Sequence, residues 1–249
     1  MRTRLSAAPL LSLGLLLLAT DAALSQADFE TDTITAAAGD LTITFIGHGT
    51  LMFTFDGKVI HIDPVGREAD YGSMPDADLV LVTHEHGDHL DPDAIAAIRK
   101  EGTVVVYSRS CQGRLDDAVT MENGSTRALA GFTIEAVPAY NLVHKRDGGQ
   151  PFHPKGNGNG YVITFGDLRV YVAGDTENTP EMKALEDIDI AFLPMNLPYT
   201  MTPEMVADAA LAFRPRILYP YHFGRTNTDE LVKLLDGVED IEVRIREMQ

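Results

Sequence analysis

The distribution of apolar and polar residues along the chain predicts strands first and a mixture of strands and helices later. Short β-branched and aromatic runs separated by glycine and aspartate indicate consecutive antiparallel strands: LTITFIG, LMFTFDG and KVIHIDP. The run ADLVLVTH is apolar throughout, as in a strand buried on both faces. It is followed by DPDAIAAIRKEG, which predicts a helix with Asp91 as N-cap, Pro92 in the first turn and Gly102 at its end.

The second half of the chain continues this alternation. Strands are predicted for TVVVYS, GFTIEAVPAY, IDIAFLP, RILYPYH and IEVRIREM, and a hairpin turning at Gly166-Asp167 for YVITFGDLRVYVAGDT. Helices are predicted for PEMKALED, for TPEMVADAALAFRP with Thr202 as cap, and for TDELVKLLDG. Strands that meander first and alternate with helices later predict an α/β fold in which two sheets pack face to face with helices outside.

The first 25 residues have the order of a secretory signal peptide. Arg2 and Arg4 precede an apolar stretch centred on residues 10–18, and Ala23-Leu24-Ser25 offers a cleavage site. The apolar stretch is shorter than the ~20 residues that a membrane-spanning helix needs. We therefore expect cleavage without stable membrane insertion, and a single domain over residues 26–249 in the periplasm or outside the cell.

Composition excludes several classes of function. The formal net charge of −17 repels phosphate backbones, so we expect a small-molecule substrate and no nucleic acid. The single cysteine, Cys111, excludes an internal disulfide framework, and we expect it to be a buried side chain and not a nucleophile. The oligomeric state does not follow from composition.

Three of the eight histidines lie in THEHGDH, directly after the buried strand. Imidazole and carboxylate groups suit Zn²⁺ and its neighbours in the first transition row. His84 and His86 are two residues apart on an extended segment, so they point to the same side and one metal ion can bind both. Asp88 and His89 lie in the following turn and can reach a second ion. A closed structural zinc site would favour thiolate ligands, and no cysteine lies near this motif. The sequence therefore predicts an open metal centre.

The motif THEHGDH resembles the His-x-His-x-Asp-His signature of the metallo-β-lactamase superfamily, and the similarity covers nearly the whole mature chain. FIGHGTLMFTFDGKVIHIDP is similar to the opening strands of the branch of predicted zinc-dependent hydrolases that includes ascorbate-6-phosphate lactonase-like proteins. YVAGDT resembles the segment of the bridging aspartate, and LYPYHFG that of the final histidine. The resemblance implies a four-layer αββα sandwich with two metal ions at the edge between the sheets.

The resemblance also implies a ligand set. The first metal ion would be bound by His84 and His86. The second would be bound by Asp88, His89 and His222. Asp175 would bridge the two ions.

The third ligand of the first ion is open, because Asn141 occupies the position where many members have a histidine. A neutral amide is a weaker zinc ligand than imidazole. We expect His153, in FHPKG, to bind instead, with His144, and Asn141 or water, as the alternatives.

Five further residues are candidates for roles around the centre. By resemblance, Asp63 would hold a ligand imidazole in one tautomer. His61 is expected only to pack. His48 either contacts the metal pocket or substrate, or packs. Lys155 either meets an anionic substrate or is solvated, and Tyr199 is a candidate hydrogen-bond donor at the pocket rim.

The predicted function is metal-dependent hydrolysis. Two divalent ions, Zn²⁺ ahead of Mn²⁺ or Fe²⁺, would generate a metal-bridged hydroxide that attacks a small-molecule ester, lactone or amide. Asp88 and Asp175 would orient this nucleophile besides binding metal. The alternatives are a phosphodiesterase-type hydrolase and a metal-loaded binding protein without turnover, which Asn141 leaves open.

Overall fold

A computed structural model describes residues 29–248 of the chain. The predicted signal peptide, residues 1–25, lies outside the described residues and stays a prediction. Among residues 29–248 no helix is long and apolar enough to cross a membrane.

The described residues form fourteen strands in two seven-stranded sheets, and strands that follow each other in sequence are neighbours in each sheet. The first sheet contains β1 (Glu30–Ala36), β2 (Gly39–Gly47), β3 (Thr50–Phe55), β4 (Lys58–Ile62), β5 (Ala77–Val82), β6 (Arg99–Ser108) and β7 (Ala118–Met121). The second contains β8 (Thr126–Leu129), β9 (Phe132–Ala139), β10 (Gly158–Phe165), β11 (Leu168–Val172), β12 (Ile190–Pro194), β13 (Ile217–Tyr221) and β14 (Glu242–Val243).

The two sheets have the same topology. Strands β1 to β4 pair antiparallel, and β4 to β7 pair parallel. In the second sheet, β8 to β11 pair antiparallel and β11 to β14 parallel. The predicted turn at Gly166-Asp167 joins β10 to β11, with Phe165 opposite Leu168. Short turns suffice for the antiparallel pairs, whereas the parallel pairs require longer crossovers.

Four α-helices lie in the described part of the chain: α1 (Pro92–Ala97), α2 (Pro180–Lys183), α3 (Pro203–Phe213) and α4 (Thr228–Leu234). Each helix begins after a side chain that accepts hydrogen bonds from first-turn N–H groups, which stabilises the helix start. These caps are Asp91, Thr179, Thr202 and Asn227.

The prediction that the first helix extends to Gly102 is wrong. The helix ends at Ala97, and β6 already begins at Arg99. Arg99 pairs with Ala77 at the start of β5, and Thr103 Oγ1 donates a hydrogen bond to the Ala77 carbonyl. Pairing with a buried strand therefore overrides the local helical propensity, although Arg99, Lys100 and Glu101 are good helix formers.

The sequence pattern also missed edge strands. The polar segment before residue 39 forms β1, and its Asp32 carboxylate accepts hydrogen bonds from Arg246 Nη2 at 2.7 and 2.8 Å. Strands β7 and β8 were not predicted either, and only residues 242–243 of IEVRIREM pair as a strand. Edge strands bury little apolar area, so their hydrophobic pattern is faint.

The hydrophobic core has layers on both faces of each sheet. In β5, Leu79 and Leu81 belong to the cluster between the sheets, whereas Val80 and Val82 pack with Ile95 of α1 on the outside. This alternation follows from the period of two along a strand.

The second sheet is covered by a helix in the same way. Phe213 of α3 packs edge-on against Tyr171 of β11, with ring centroids 6.1 Å apart. Helices on the outer face of both sheets confirm the predicted αββα sandwich.

Candidate metal centre

The seven predicted metal ligands lie together at one edge of the sandwich. His84 to His89 lie in the loop after β5, Asp175 follows β11, and His222 follows β13. Strand ends hold these side chains in place, since β5, β11 and β13 are each hydrogen-bonded on both sides within their sheets. His153 reaches the same edge from the loop before β10.

The first group of donor atoms comprises His84, His86 and His153, whose donor nitrogens all lie within 4.8 Å of one another. His84 Nε2 is 3.0 Å from His86 Nδ1. Oδ2 of Asp175 lies 3.3 Å from His153 Nε2 and 3.9 Å from His84 Nε2. One carboxylate oxygen of Asp175 thus faces this first group.

The second group faces the other carboxylate oxygen of Asp175. Oδ1 of Asp175 is 3.5 Å from His89 Nε2 and 3.5 Å from His222 Nε2. His89 Nε2 and His222 Nε2 are 3.2 Å apart, and Asp88 Oδ2 is 3.8 Å from His222 Nε2. Asp175 therefore presents one oxygen to each group, as a bridging ligand of two ions would.

Asp63 fixes the orientation of two imidazoles. Its Oδ2 accepts hydrogen bonds from Nδ1 of His89 and from Oγ1 of Thr83, each at 2.7 Å. Because the Thr83 hydroxyl proton is used in that bond, Oγ1 accepts from Nδ1 of His84 at 3.0 Å. Nδ1 of both histidines therefore carries a proton, and Nε2 is the nitrogen that faces the cluster and is left to bind a metal ion.

His153, and not His144, joins the first group. Asn141 Oδ1 accepts from the N–H of His153 at 2.7 Å and from its Nδ1 at 2.9 Å. Nδ2 of the same amide donates to Glu177 Oε1 at 3.1 Å and to the Tyr199 carbonyl at 2.8 Å, which fixes the amide orientation. His144 instead binds Glu177 Oε1 through Nδ1 at 2.8 Å. Asn141 therefore supports the imidazole of His153 and does not itself face the cluster.

Glu177 is a residue of this site that sequence reasoning missed. Its buried carboxylate accepts hydrogen bonds from the backbone N–H groups of Leu142, Val143 and His144 at 2.6–2.7 Å. Burial would raise the pKa of Glu177, but these hydrogen bonds hold it below its usual value. Glu177 thereby anchors the chain just after Asn141. The one sequence signal was its position two residues after Asp175.

The cluster fits divalent cations. His153 Nε2 and Asp175 Oδ1 are buried and make no hydrogen bond to the described residues. The lone pair of His153 Nε2 faces a carboxylate oxygen at 3.3 Å, a repulsive arrangement unless a cation lies nearby. The donor set of imidazoles and carboxylates suits zinc and related ions.

The electrostatics of the cluster also favour a cation. Burial lowers the pKa of His84 and His86, which keeps both rings neutral and able to bind metal. Burial would also lower the pKa of His89, but the carboxylates of Asp175 and Asp63 raise it to about 9. In the metal-free protein His89 is therefore protonated, and its imidazolium supplies the positive charge of the second group.

Backbone geometry brings the rings close together. His48, Asp63 and His222 have φ values of 51°, 45° and 47°, a left-handed conformation that is costly for residues other than glycine. The His48 carbonyl accepts from the His222 N–H at 3.0 Å. A Cβ on Gly49 would lie 2.8 Å from His89 Cε1, so this position requires glycine.

Of three further candidate residues, one lies at the metal centre and two make contacts elsewhere in the fold. His48 Nε2 lies 3.3 Å from Asp88 Oδ2, at the centre. Lys155 pairs with Glu181 at 2.7 Å, so its charge is used in a surface ion pair. His61 is buried and hydrogen-bonded to a backbone carbonyl, as expected of a packing residue.

Cys111 is buried, as predicted. Burial raises the pKa of its thiol to about 11. A thiol with so high a pKa is unsuited to act as a nucleophile.

An open pocket of about 430 Å³ gives access to the centre. Part of its wall is formed by residues of the centre: His86, Asp88, His153, Asp175 and His222. Its remaining wall is formed by Arg146, Phe152, Asn196 and Tyr199, together with Gly87. This volume is that of a small-molecule site.

The chain is similar to known proteins over most of its length. Residues 42–222 match the beta-lactamase superfamily domain. A UPF0173 metal-dependent hydrolase of Methanopyrus kandleri is 32% identical over 198 residues, which cover 74% of this chain and 84% of that protein.

Two solved structures are similar to this chain in both sequence and fold. A protein of Parabacteroides distasonis classed as a metal-dependent hydrolase is 51% identical, with a TM-score of 0.84 and coverage of 89% of this chain and 100% of that one. A metallo hydrolase of the archaeon Ignicoccus hospitalis is 25% identical, with a TM-score of 0.66 and coverage of 83% and 95%.

Proposed function

The chain is a metal-dependent hydrolase of the metallo-β-lactamase superfamily, and on this premise we propose that it uses two divalent metal ions to hydrolyse a small-molecule ester, lactone or amide. The observation that carries the proposal is the position of Asp175. Its two oxygens face separate groups of imidazole nitrogens, at 3.3 and 3.9 Å on one side and at 3.5 Å on the other.

The proposed ligands divide along Asp175. His84, His86 and His153 would hold the first ion. Asp88, His89 and His222 would hold the second, and Asp175 would contact both. Zn²⁺ is the preferred ion because imidazole dominates the donor set, although Mn²⁺ and Fe²⁺ accept the same ligands.

The metal ions, when bound, lower the pKa of a water and polarise the scissile group. The side chains of the protein orient the attacking water and the ligand imidazoles. Asp88 lies at the pocket, where its partly exposed carboxylate can accept a hydrogen bond from an attacking water. Asp63, Thr83 and Asn141 keep the lone pairs of the imidazoles directed inward, so little reorganisation is needed for catalysis.

We also propose that the domain acts outside the cytoplasm. The order of charged, apolar and small residues within residues 1–25 supports export and cleavage. N-terminal sequencing of the protein from a secreting host tests this. Recovery only of chains beginning at Met1 would contradict it.

The proposed chemistry is tested by metal analysis together with a panel of lactones, esters, amides, phosphodiesters and β-lactams. We expect two equivalents of metal and hydrolysis of at least one carbonyl substrate, with loss of turnover on chelation and recovery on adding Zn²⁺. Turnover confined to phosphodiesters would replace the carbonyl assignment by a phosphodiesterase. Hydrolysis unaffected by chelation would contradict the mechanism.

The variant Asp88→Asn distinguishes an enzyme from a binding protein. In an enzyme, the rate falls by orders of magnitude while the substrate still binds. In a metal-loaded binding protein, no turnover is detected for the wild type, and the substitution changes only ligand affinity.

A further inference from the structure

One wall of the pocket consists of Arg146, Phe152 and Tyr199, called the Arg146 wall below. The guanidinium carbon of Arg146 lies 5.1 Å from the centroid of the Phe152 ring. The Phe152 ring meets that of Tyr199 edge-on, with centroids 5.1 Å apart. All three residues line the same cavity as Asp88 and Asp175. The Arg146 wall therefore faces any molecule that reaches the metal centre.

The backbone of Arg146 is held by a tight turn. Its N–H donates to the Gln150 carbonyl at 2.8 Å, and its carbonyl accepts from the Gly149 N–H at 2.8 Å. Lys145 and Pro151 form an antiparallel bridge on either side of this turn. The turn and the stacking on Phe152 together orient a side chain that is otherwise exposed, since an arginine over an aromatic face is attracted to it.

Within residues 29–248 the positive charge of Arg146 is not neutralised by an ion pair. No carboxylate of the described chain forms an ion pair with its guanidinium, whose side-chain contact is with the Phe152 ring. Lys155, by contrast, is paired with Glu181 at 2.7 Å. Arg146 is also the one lysine or arginine among the described residues that lines this pocket. In a chain of net charge −17, this places an available cation beside the reacting centre.

Resting on the hydrolase function proposed above, we propose that Arg146 binds an anionic oxygen-acid group of the substrate, a carboxylate or a phosphate, while the scissile bond lies at the metal centre. A guanidinium offers two parallel N–H donors that match such a group. Phe152 and Tyr199 provide aromatic surface for the carbon skeleton. The substrate class is thus a small ester, lactone or amide that carries a negative charge away from the bond that is cleaved.

The kinetic test uses matched pairs of substrates that differ only in charge. One arm compares a lactone bearing a free carboxylate with the same lactone bearing an uncharged hydroxymethyl group in its place, and the other a phosphorylated lactone with its unphosphorylated form. Arg146→Ala is expected to lower kcat/KM for the charged member by about 10- to 100-fold, as for the loss of a charge-assisted hydrogen bond. The neutral member should change by no more than about twofold. The pair of substrates whose charged member loses kcat/KM shows whether the acid group is a carboxylate or a phosphate.

Two further variants serve as controls. Arg146→Lys keeps the charge but not the paired donors, so it should recover only part of the selectivity. Lys145→Ala removes the neighbouring cation, which does not line the pocket, and should leave both arms unchanged. Arg146→Ala lowering charged and neutral substrates equally would overturn the proposal, since that result indicates general damage to the pocket.

A binding experiment separates this proposal from the hydrolase function. Calorimetry measures the affinity of the metal-loaded protein for succinate and for methyl phosphate, using wild type, Arg146→Ala and Lys145→Ala. We expect Arg146→Ala alone to weaken one of these probes by about tenfold or more. If wild type hydrolyses nothing but this loss is seen, the hydrolase proposal fails and the anion site stands. If hydrolysis occurs but both probes bind Arg146→Ala as tightly as wild type, the anion site is wrong.

Discussion

The side-chain oxygen of Asn141 accepts two hydrogen bonds from His153, one from the backbone N–H at 2.7 Å and one from Nδ1 at 2.9 Å. Many members of the superfamily have a ligand histidine at the position of Asn141. Here Asn141 instead holds His153, twelve residues later in the chain, with its Nε2 directed at Asp175. Partners of this kind commonly change metal affinity by about 10- to 100-fold when they are removed.

Asn141→Ala is expected to weaken the first metal site selectively. Without the acceptor, His153 can rotate and its Nδ1 proton is no longer fixed. We expect the affinity of one of two metal equivalents to fall by about 10- to 100-fold, measured by metal analysis after dialysis against graded chelator concentrations.

The matched control for this change is Asn178→Ala. Asn178 hydrogen-bonds Asp208 at the surface, and its loss should leave both equivalents unchanged. Retention of both ions by Asn141→Ala at wild-type affinity would show that Asn141 does not position the ligand.

Metal uptake at pH 7 is expected to release about one proton from His89. Its pKa of about 9 in the metal-free protein means that the ring is protonated at pH 7, and the metal must displace that proton. His84 and His86, whose pKa values are lowered by burial, should release none. Affinity should therefore increase with pH until about pH 9.

Calorimetry in buffers of different ionisation enthalpy measures this release directly. The apparent binding enthalpy should vary with the buffer at pH 7 and vary much less at pH 10. A binding enthalpy that is independent of the buffer at pH 7 would contradict the protonated state of His89.

Gly49→Ala is expected to disturb the centre through steric contact alone. The new Cβ would lie 2.8 Å from His89 Cε1 and 3.2 Å from His222 Cδ2, so both rings must move. We expect weaker metal binding, and a cost of about 1–3 kcal/mol in the free energy of unfolding from overpacking. Metal titration and urea unfolding measure the two effects.

Gly148→Ala is the control for this substitution, because a Cβ at that position meets no atom within 4 Å. It should change neither the metal affinity nor the urea midpoint. Wild-type metal binding by Gly49→Ala would mean that the imidazoles tolerate the displacement.

His61 is expected to make the metal-free protein sensitive to acid. Burial lowers its pKa from 6.5 to about 4. The unfolded chain then takes up a proton near pH 6.5 and the folded chain only near pH 4, so stability falls as the pH drops through this window. The full contribution is about 3 kcal/mol from the size of the shift.

His61→Gln removes this titration while retaining an N–H donor for the Pro75 carbonyl, which His61 Nε2 approaches at 3.0 Å. Urea unfolding of both proteins in chelator, at intervals from pH 7 to pH 4, gives the difference. We expect the stability of wild type to fall more steeply than that of the variant. Parallel curves would show that His61 is protonated in the folded state as readily as in the unfolded one.

Local spacing was sufficient to predict part of the site. His84 and His86 lie two apart after a buried strand, and extended geometry places them on one side whatever surrounds them. Asp88 and His89 follow within one turn. A pattern this short depends little on the rest of the fold.

Distant partners were predicted less completely. His153 was expected as the third ligand from the resemblance of FHPKG, but His144, and Asn141 or water, stayed open as alternatives because residue type and spacing do not separate two histidines of one loop. The choice depends on Asn141 and Glu177, which bind one histidine each through different atoms. The end of α1 was predicted wrongly for the same reason, a contact with a distant segment: Arg99 pairs with Ala77 of another strand.

By itself, the sequence determined the order of most strands and helices and the location of the metal-binding motif, because apolar periodicity and short-range spacing act within a few residues. Tertiary structure alone decided which imidazole completes the first group and that Glu177 anchors it. It also decided that Arg146 lines the pocket. These outcomes depend on distances between segments that are far apart in the chain, and such distances are set only when the two sheets pack together.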